Sequence, residues 1–252
     1  MASSSGVPVA TETERRPAFY ALASGGWRDY LTLVHVPYTA WHLAYVAIGA
    51  ALSPEFSWSR LLPTLAAFFL AVGIGAHALD ELRGRPLQTR IPDAVLAALA
   101  VVSIAGAVAI GVAGAVTVDP WFGAFVAAGA FIVVAYNLEL FEGHFHGDFW
   151  FALAWGAFPL LTGYFATAEE LDLVALVAAA FAFALSLAQR TLSSRVRDVR
   201  RRVVHVDGTV ARRDGTSQEL NAQDLMDVEE RALRILSLAV VALAAALVMM
   251  RL

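Results

Sequence analysis

The stretch Leu61–Arg85, LLPTLAAFFLAVGIGAHALDELRGR, decides how this chain folds. It opens on an unbroken apolar run, and about 20 such residues are what a helix needs to cross a bilayer. It closes on His77, Asp80, Glu81, Arg83 and Arg85. An apolar run ended by arginines predicts a transmembrane helix over Leu61–Asp80 whose charged end faces the cytoplasm. At that end His77, Asp80 and Glu81 stand at i, i+3 and i+4, on one helical face.

The same pattern recurs outward in both directions. Further spans are predicted at Leu31–Leu52, Ala94–Ala115, Trp121–Leu140, Phe149–Thr167, Leu171–Gln189 and Ala232–Met250. The fold class expected is therefore all-α, a polytopic membrane bundle of about seven transmembrane helices. Composition agrees, since 59% of the 252 residues are hydrophobic and the mean hydropathy is +0.64. Such a chain is too apolar for an ordinary soluble domain. There is no cysteine, which excludes disulfides, thiolate metal sites and cysteine nucleophiles. All 18 basic residues are arginine, so lysine Schiff-base chemistry is excluded as well. The net charge of −4 decides little, because the charges are sorted by loop.

That sorting sets the orientation. Arg15, Arg16 and Arg28 precede the first span, and Arg83, Arg85 and Arg90 follow the second. Eight arginines, from Arg190 to Arg213, follow the sixth, whereas the alternate loops carry Asp119, Glu169, Glu170 and Asp172 with a single Arg60. The positive-inside rule puts the N-terminus in the cytoplasm and the C-terminus outside. Residues 1–30 are expected to be a tail and interfacial segment, with no cleaved signal peptide. The membrane core covers 31–190, a cytoplasmic arginine-rich insertion 191–231, and the last helix 232–252. Within the insertion, Asp207-Gly208 predicts a hairpin turn between Val203–Val206 and Thr209–Ala211. Asn221 is a predicted cap for a helix starting near Ala222.

On this map the metal-competent groups gather at the cytoplasmic end. They are His35 and His42 on the first span, His77, Asp80 and Glu81 on the second, and Glu139, Glu142, His144 and His146 around the end of the fourth. Ionisable groups at membrane depth are costly and usually functional. Confinement to one end argues against an ion pathway, which needs polar stations at several depths. In YNLELFEGHFH, Tyr136, Glu139 and Glu142 fall on one helical face, and Gly143 is expected to end the helix and turn His144 and His146 back. In HVPYTAWH, His35 and His42 flank Tyr38 on one stripe. Tyr38 and Tyr136 are expected to orient ligands or substrate. Each cluster also has a plainer explanation, as interface charges or hydrogen-bonded packing histidines. The run QRTLSSRVRDVRRR is a positive-inside anchor or a site for phosphate or anionic lipid. His205 is taken as structural.

From Leu31 to Gln189 the chain resembles the UbiA-type intramembrane prenyltransferase superfamily. The likeness rests on the acidic end of the second span followed by RGRPLQTRIPDAVL, on the fourth span ending near Tyr136, and on GDFWFALAWGAFPLLTGYFA after it. The resemblance implies a bundle around a central cavity open to lipid, with acidic residues and magnesium holding an isoprenyl diphosphate. Asp80 and Glu81 then match the first acidic motif, and Arg85 and Arg90 would contact the diphosphate. The chain departs from that pattern in three places: His77 replaces the leading Asn-Asp, Glu139 and Glu142 stand near an expected lysine, and only Asp198 remains of the second acidic motif.

Imidazoles mixed with carboxylates suit iron, manganese or zinc better than magnesium. The function expected is thus an integral membrane metal-dependent enzyme acting on a lipophilic isoprenoid or lipid substrate. A dinuclear iron centre would be one form of it. One alternative is a Mg-dependent prenyltransferase. Another is a non-enzymatic subunit binding haem through two histidines, or a protein partner. The expected partners are a lipophilic small molecule and membrane lipids, with no nucleic acid.

Overall fold

The computed structural model describes residues 16–252. Residues 1–15, which hold most of the expected N-terminal tail and Arg15, lie outside the described residues. The chain forms a helical bundle with one small two-stranded sheet. Its elements are α1 (Trp27–Leu33), α2 (Val36–Leu52), α3 (Trp58–Leu82), α4 (Asp93–Thr117), α5 (Phe122–Asn137), α6 (Asp148–Ala168), α7 (Leu173–Arg202), β1 (Thr209–Ala211), β2 (Ser217–Glu219) and α8 (Asp227–Met249). Five of these helices, α3, α4, α6, α7 and α8, are long and apolar enough to cross a membrane. Of the other two predicted spans, α2 has 17 residues and α5 has 16. Val101, Val116, Leu173, Val177 and Leu238 are exposed on the outside of the bundle, as a lipid-facing surface requires.

The expected first span breaks in two. Pro37 lies in the first turn of α2. It has no N–H to give the Leu33 carbonyl and its ring would clash there, so a helix running through from α1 is not available. His35 takes up the break with a left-handed backbone, φ 49°. Two helices carry a wider, π-helical turn: Phe69–Ala76 in α3 and Leu153–Ala157 in α6. In α6 the cause is legible. Pro159 removes the donor that the Trp155 carbonyl would normally meet, and His42 Nδ1 takes that carbonyl instead at 2.7 Å.

The main core lies between α2, α6, α7 and α8 and includes Trp41, Tyr45, Ile48, Leu160, Ala182 and Val240. Tyr45 is fully enclosed, and its hydroxyl is satisfied by Trp41 Nε1 at 2.7 Å and by Ser186 Oγ at 3.3 Å. Gly49 and Gly163 let α2 and α6 touch backbone to backbone. A second cluster, Val72, Ala76, Val133, Tyr136, Ala154 and Trp155, joins α3, α5 and α6 just beneath the arginine-rich end.

Three expectations about that end are corrected. Helix α7, capped at its start by Asp172 through the Ala175 N–H (2.9 Å), continues past Gln189 to Arg202, since no glycine or proline breaks it before Val203. The hairpin is also displaced: β1 pairs antiparallel with β2, with Val210 opposite Gln218. The turn is therefore the second Asp-Gly of the segment, at Asp214-Gly215. Gly215 supplies φ 85°, and Thr216 bonds back to the Asp214 carboxylate. Asn221 accepts from the Gln223 and Asp224 N–H groups and closes a turn rather than capping a helix, because the helix beyond begins at Asp227 with Met226 at its cap position. The α7 extension is tied to α8 by Arg200, whose Nε lies 2.9 Å from Glu230 Oε1, with both side chains buried.

Candidate functional site

A cavity of about 570 Å³ opens at the arginine-rich end of the bundle. Its walls come from the α1–α2 joint (His35, Tyr38, His42), the end of α3 (Ala76, His77, Asp80) and the loop after it (Arg83–Gln88). The α5–α6 connection adds Tyr136, Asn137, Glu139 and His146, and α6 adds Phe151 and Trp155. Helix α7 contributes Gln189, Arg190, Ser193, Val196, Arg197, Arg200 and Arg201. The strap Pro17–Tyr20 completes the lining. The strap is held by Arg200 Nη1 on the Arg16 carbonyl (3.0 Å) and by the Arg234 guanidinium, 4.8 Å over the Phe19 ring. Burial pushes the Tyr20 phenol well above its ordinary pKa, so it stays a protonated donor at neutral pH.

Nine of the thirteen residues proposed from sequence line this cavity: His35, Tyr38, His42, His77, Asp80, Arg85, Tyr136, Glu139 and His146. His35 and His77 stack face to face with ring centroids 3.9 Å apart. His77 Nδ1 lies 3.2 Å from the Gly73 carbonyl, and His146 Nδ1 lies 2.9 Å from that of Tyr136. Two of the nine are engaged elsewhere. Glu139 is paired with Arg83 at 2.9 Å. Arg85 binds the Asp93 carboxylate and the carbonyls of Thr89 and Ile91.

The other four lie elsewhere, each for a physical reason. Glu81 is one residue past Asp80 and so about 100° around the helix. Its carboxylate is fully buried and accepts from Leu87 N (2.9 Å), Thr89 N (2.8 Å) and Thr89 Oγ1 (2.8 Å), which folds the 83–89 loop. Arg90 is exposed, and its backbone N–H donates to Asp29 Oδ2 at 2.9 Å. Glu142 and His144 are exposed because α5 ends at Asn137, earlier than expected. Positive φ at Glu139, Phe141, Glu142 and Gly143 then turns the chain outward, so no shared helical face forms.

Replacing Glu81 with alanine is expected to leave three buried donors without an acceptor. The cost is about 3 kcal/mol or more. A lowered melting temperature and new trypsin cleavage at Arg83 or Arg85 would register the loosened loop. Unchanged melting and cleavage would show that the carboxylate does not organise it.

From the sequence alone the α7 arginines read as a loop. Their signal was the spacing of Arg190, Ser193, Arg197 and Arg201, which is one helical face once the helix is carried past Gln189. Among the described residues, neither Arg197 nor Arg201 meets a carboxylate. Arg197 bonds only Ser193 (3.3 Å) and Ser194 (2.9 Å). Asp80 likewise has no ion-pair partner among them. The buried Tyr136 hydroxyl and Gln189 Oε1 have no hydrogen-bond partner among them either. Buried polar atoms are nearly always satisfied, so these two call for a ligand or water in the cavity.

Trp155 separates this cavity from an apolar groove of about 310 Å³ between α3, α4, α5 and α6. The groove is lined by Phe68, Ile104, Val126, Val133 and Phe158 among others, and reaches Ser59 and Thr117 near the opposite end. Ser59 to Val72 along α3 is about 20 Å at 1.5 Å per residue. A polar chamber and a long apolar one thus share a single wall.

Among the described residues, no three His, Asp or Glu side chains are grouped to hold one metal ion. Of the carboxylates proposed for magnesium, Glu81 is committed to its loop and Glu139 is paired with Arg83, which leaves Asp80 as the uncommitted one. Magnesium commonly takes one or two carboxylates together with substrate phosphates. No protein-family model, characterised protein or solved structure matches this chain. The resemblance to the UbiA-type superfamily therefore stands on the sequence motifs alone.

Proposed function

We propose that this protein is a membrane-embedded enzyme acting on a lipophilic, isoprenoid-like substrate with a phosphate or diphosphate head, on a UbiA-like skeleton. One observation carries the reading: Arg197 and Arg201 face a polar cavity without carboxylate partners, and one wall away lies an apolar groove long enough for a hydrocarbon chain. Guanidinium groups match phosphate oxygens in charge and geometry. The head would sit against the arginines and the tail in the groove. The cavity would open to the cytoplasm, where arginine density places that end.

Binding of geranylgeranyl diphosphate to detergent-purified protein, competed by inorganic diphosphate, is the test. Saturable binding that diphosphate displaces supports the reading, and absence of binding sinks it. Elemental analysis supplies the second arm. His42, His77 and His146 hold their Nδ1 on backbone carbonyls, as metal-bound imidazoles do. Stoichiometric iron, manganese or zinc, lost in His77→Ala, would replace this reading with a transition-metal enzyme.

A further inference from the structure

Three histidines on three walls of the cavity are held in the same way. Nδ1 of His42, His77 and His146 lies 2.7, 3.2 and 2.9 Å from the carbonyls of Trp155, Gly73 and Tyr136. A carbonyl only accepts, so each Nδ1 carries the hydrogen and donates it. In a neutral imidazole the other nitrogen, Nε2, is then a bare acceptor. Among the described residues no donor reaches any of the three Nε2 atoms. Gln189, 2% exposed, has an unpartnered Oε1, and Asp80 adds a carboxylate without an ion-pair partner. The cavity is thus lined by five acceptor groups beside the arginines, of which Gln189 Oε1 is buried without a donor, and a buried acceptor without a donor is costly.

The arrangement of those acceptors selects what supplies the donors. A metal ion gathers its ligands around one point, and among the described residues no three His, Asp or Glu side chains are so placed. A single ammonium presents its three hydrogens from one atom and meets the same difficulty. Acceptors spread over α2, α3, α7 and the α5–α6 connection need donors spread over several atoms. Hydroxyl groups around a ring or along a polyol supply that pattern, each with one O–H to give.

We infer that the cavity binds a head bearing several hydroxyl groups beside its phosphate, a sugar phosphate or polyol phosphate. His42, His77 and His146 receive its hydroxyls through Nε2. This deepens the proposed function and rests on Arg197 and Arg201 being the phosphate site.

Ribose 5-phosphate and inorganic phosphate, titrated separately into the detergent-purified protein at equal ionic strength, test it. The sugar phosphate is expected to bind about tenfold more tightly than phosphate, the worth of one or two net hydrogen bonds. In His77→Phe and His146→Phe, which keep a ring but remove the acceptor, that preference should fall toward unity while phosphate affinity holds. His146 lies in a connection rather than a helix, so its variant remains informative if His77→Phe does not fold. Equal affinity for the two probes in the wild type would overturn the inference and leave the arginine site standing. Binding of neither would overturn both. A preference unchanged in both variants would overturn the assignment of hydroxyls to His77 and His146.

Discussion

Gly163→Leu and Gly49→Leu are each expected to prevent the bundle from assembling, and alanine at either position to weaken it severely. A Cβ at Gly163 would overlap the Val46 carbonyl, and one at Gly49 would overlap the Leu160 carbonyl. The two glycines therefore face each other's helices, and α2 and α6 meet through their backbones at both. What a new side chain would strike is main chain in the middle of each helix, which cannot move aside as a flexible side chain does. Small residues at helix crossings are how membrane bundles gain close van der Waals contact, since lipid offers no hydrophobic drive between helices. Overpacking costs about 1–3 kcal/mol when side chains can adjust, and more where backbone is struck. The core residues Trp41, Tyr45 and Leu160 would separate with the helices. The measurement is the yield of monodisperse protein in detergent together with its melting temperature. Gly123→Ala is the control: its Cβ would meet only Ala115, at 4.0 Å, so it should be neutral or slightly stabilising. If Gly163→Leu melts like the control, the α2–α6 contact does not hold the fold.

Those glycines were visible in the sequence, but their partners were not. Periodicity reveals which segments are apolar and leaves open which helix packs against which. The predicted spans locate every long helix, because length and hydropathy are local properties that a bilayer demands. Boundaries failed where a local rule competed with hydropathy. Pro37 divides the first span at His35, and the repeated Asp-Gly allowed two hairpins, of which the structure uses the one at Asp214. Hydropathy also stopped α7 at Gln189, although nothing in its sequence breaks a helix there. Ser193, Arg197 and Arg201 then extend the face of Gln189 and Arg190.

The candidate site was legible as a place and less so as a set of contacts. His35, His42, His77, Asp80, Tyr136 and His146 reach one cavity because their helices end at the same level. Glu81 illustrates the limit. Its spacing relative to His77 is as good as that of Asp80, yet three donors of the following loop claim its carboxylate. Competition of that kind depends on where the loop returns, and the helical pattern carries no trace of it. Glu142 and His144 were misplaced for a related reason, since the positive φ values after Asn137 are not signalled by glycine until Gly143.

The largest effect on binding is expected from Arg197→Met with Arg201→Met. Each guanidinium that meets a phosphate makes charge-assisted hydrogen bonds worth about 1.5–3 kcal/mol. Loss of both should weaken diphosphate binding by a factor on the order of 10² to 10⁴. The pair sits four residues apart on one face of α7, so the two effects are coupled, and the double variant should fall short of the product of the singles. Methionine keeps an apolar stem of similar reach, which separates loss of charge from loss of packing. Arg195→Met controls for net charge: that residue is exposed, does not line the cavity, and should leave binding within about twofold, the scale of screened surface charge. Competition against labelled geranylgeranyl diphosphate measures the double variant, its two singles and Arg195→Met. Equal losses in the double variant and in Arg195→Met would mean that the arginines act only through the overall field of the bundle's charged end. A loss confined to the cavity pair requires a binding site at Arg197 and Arg201, because only a ligand seated there distinguishes one arginine from another on the same helix.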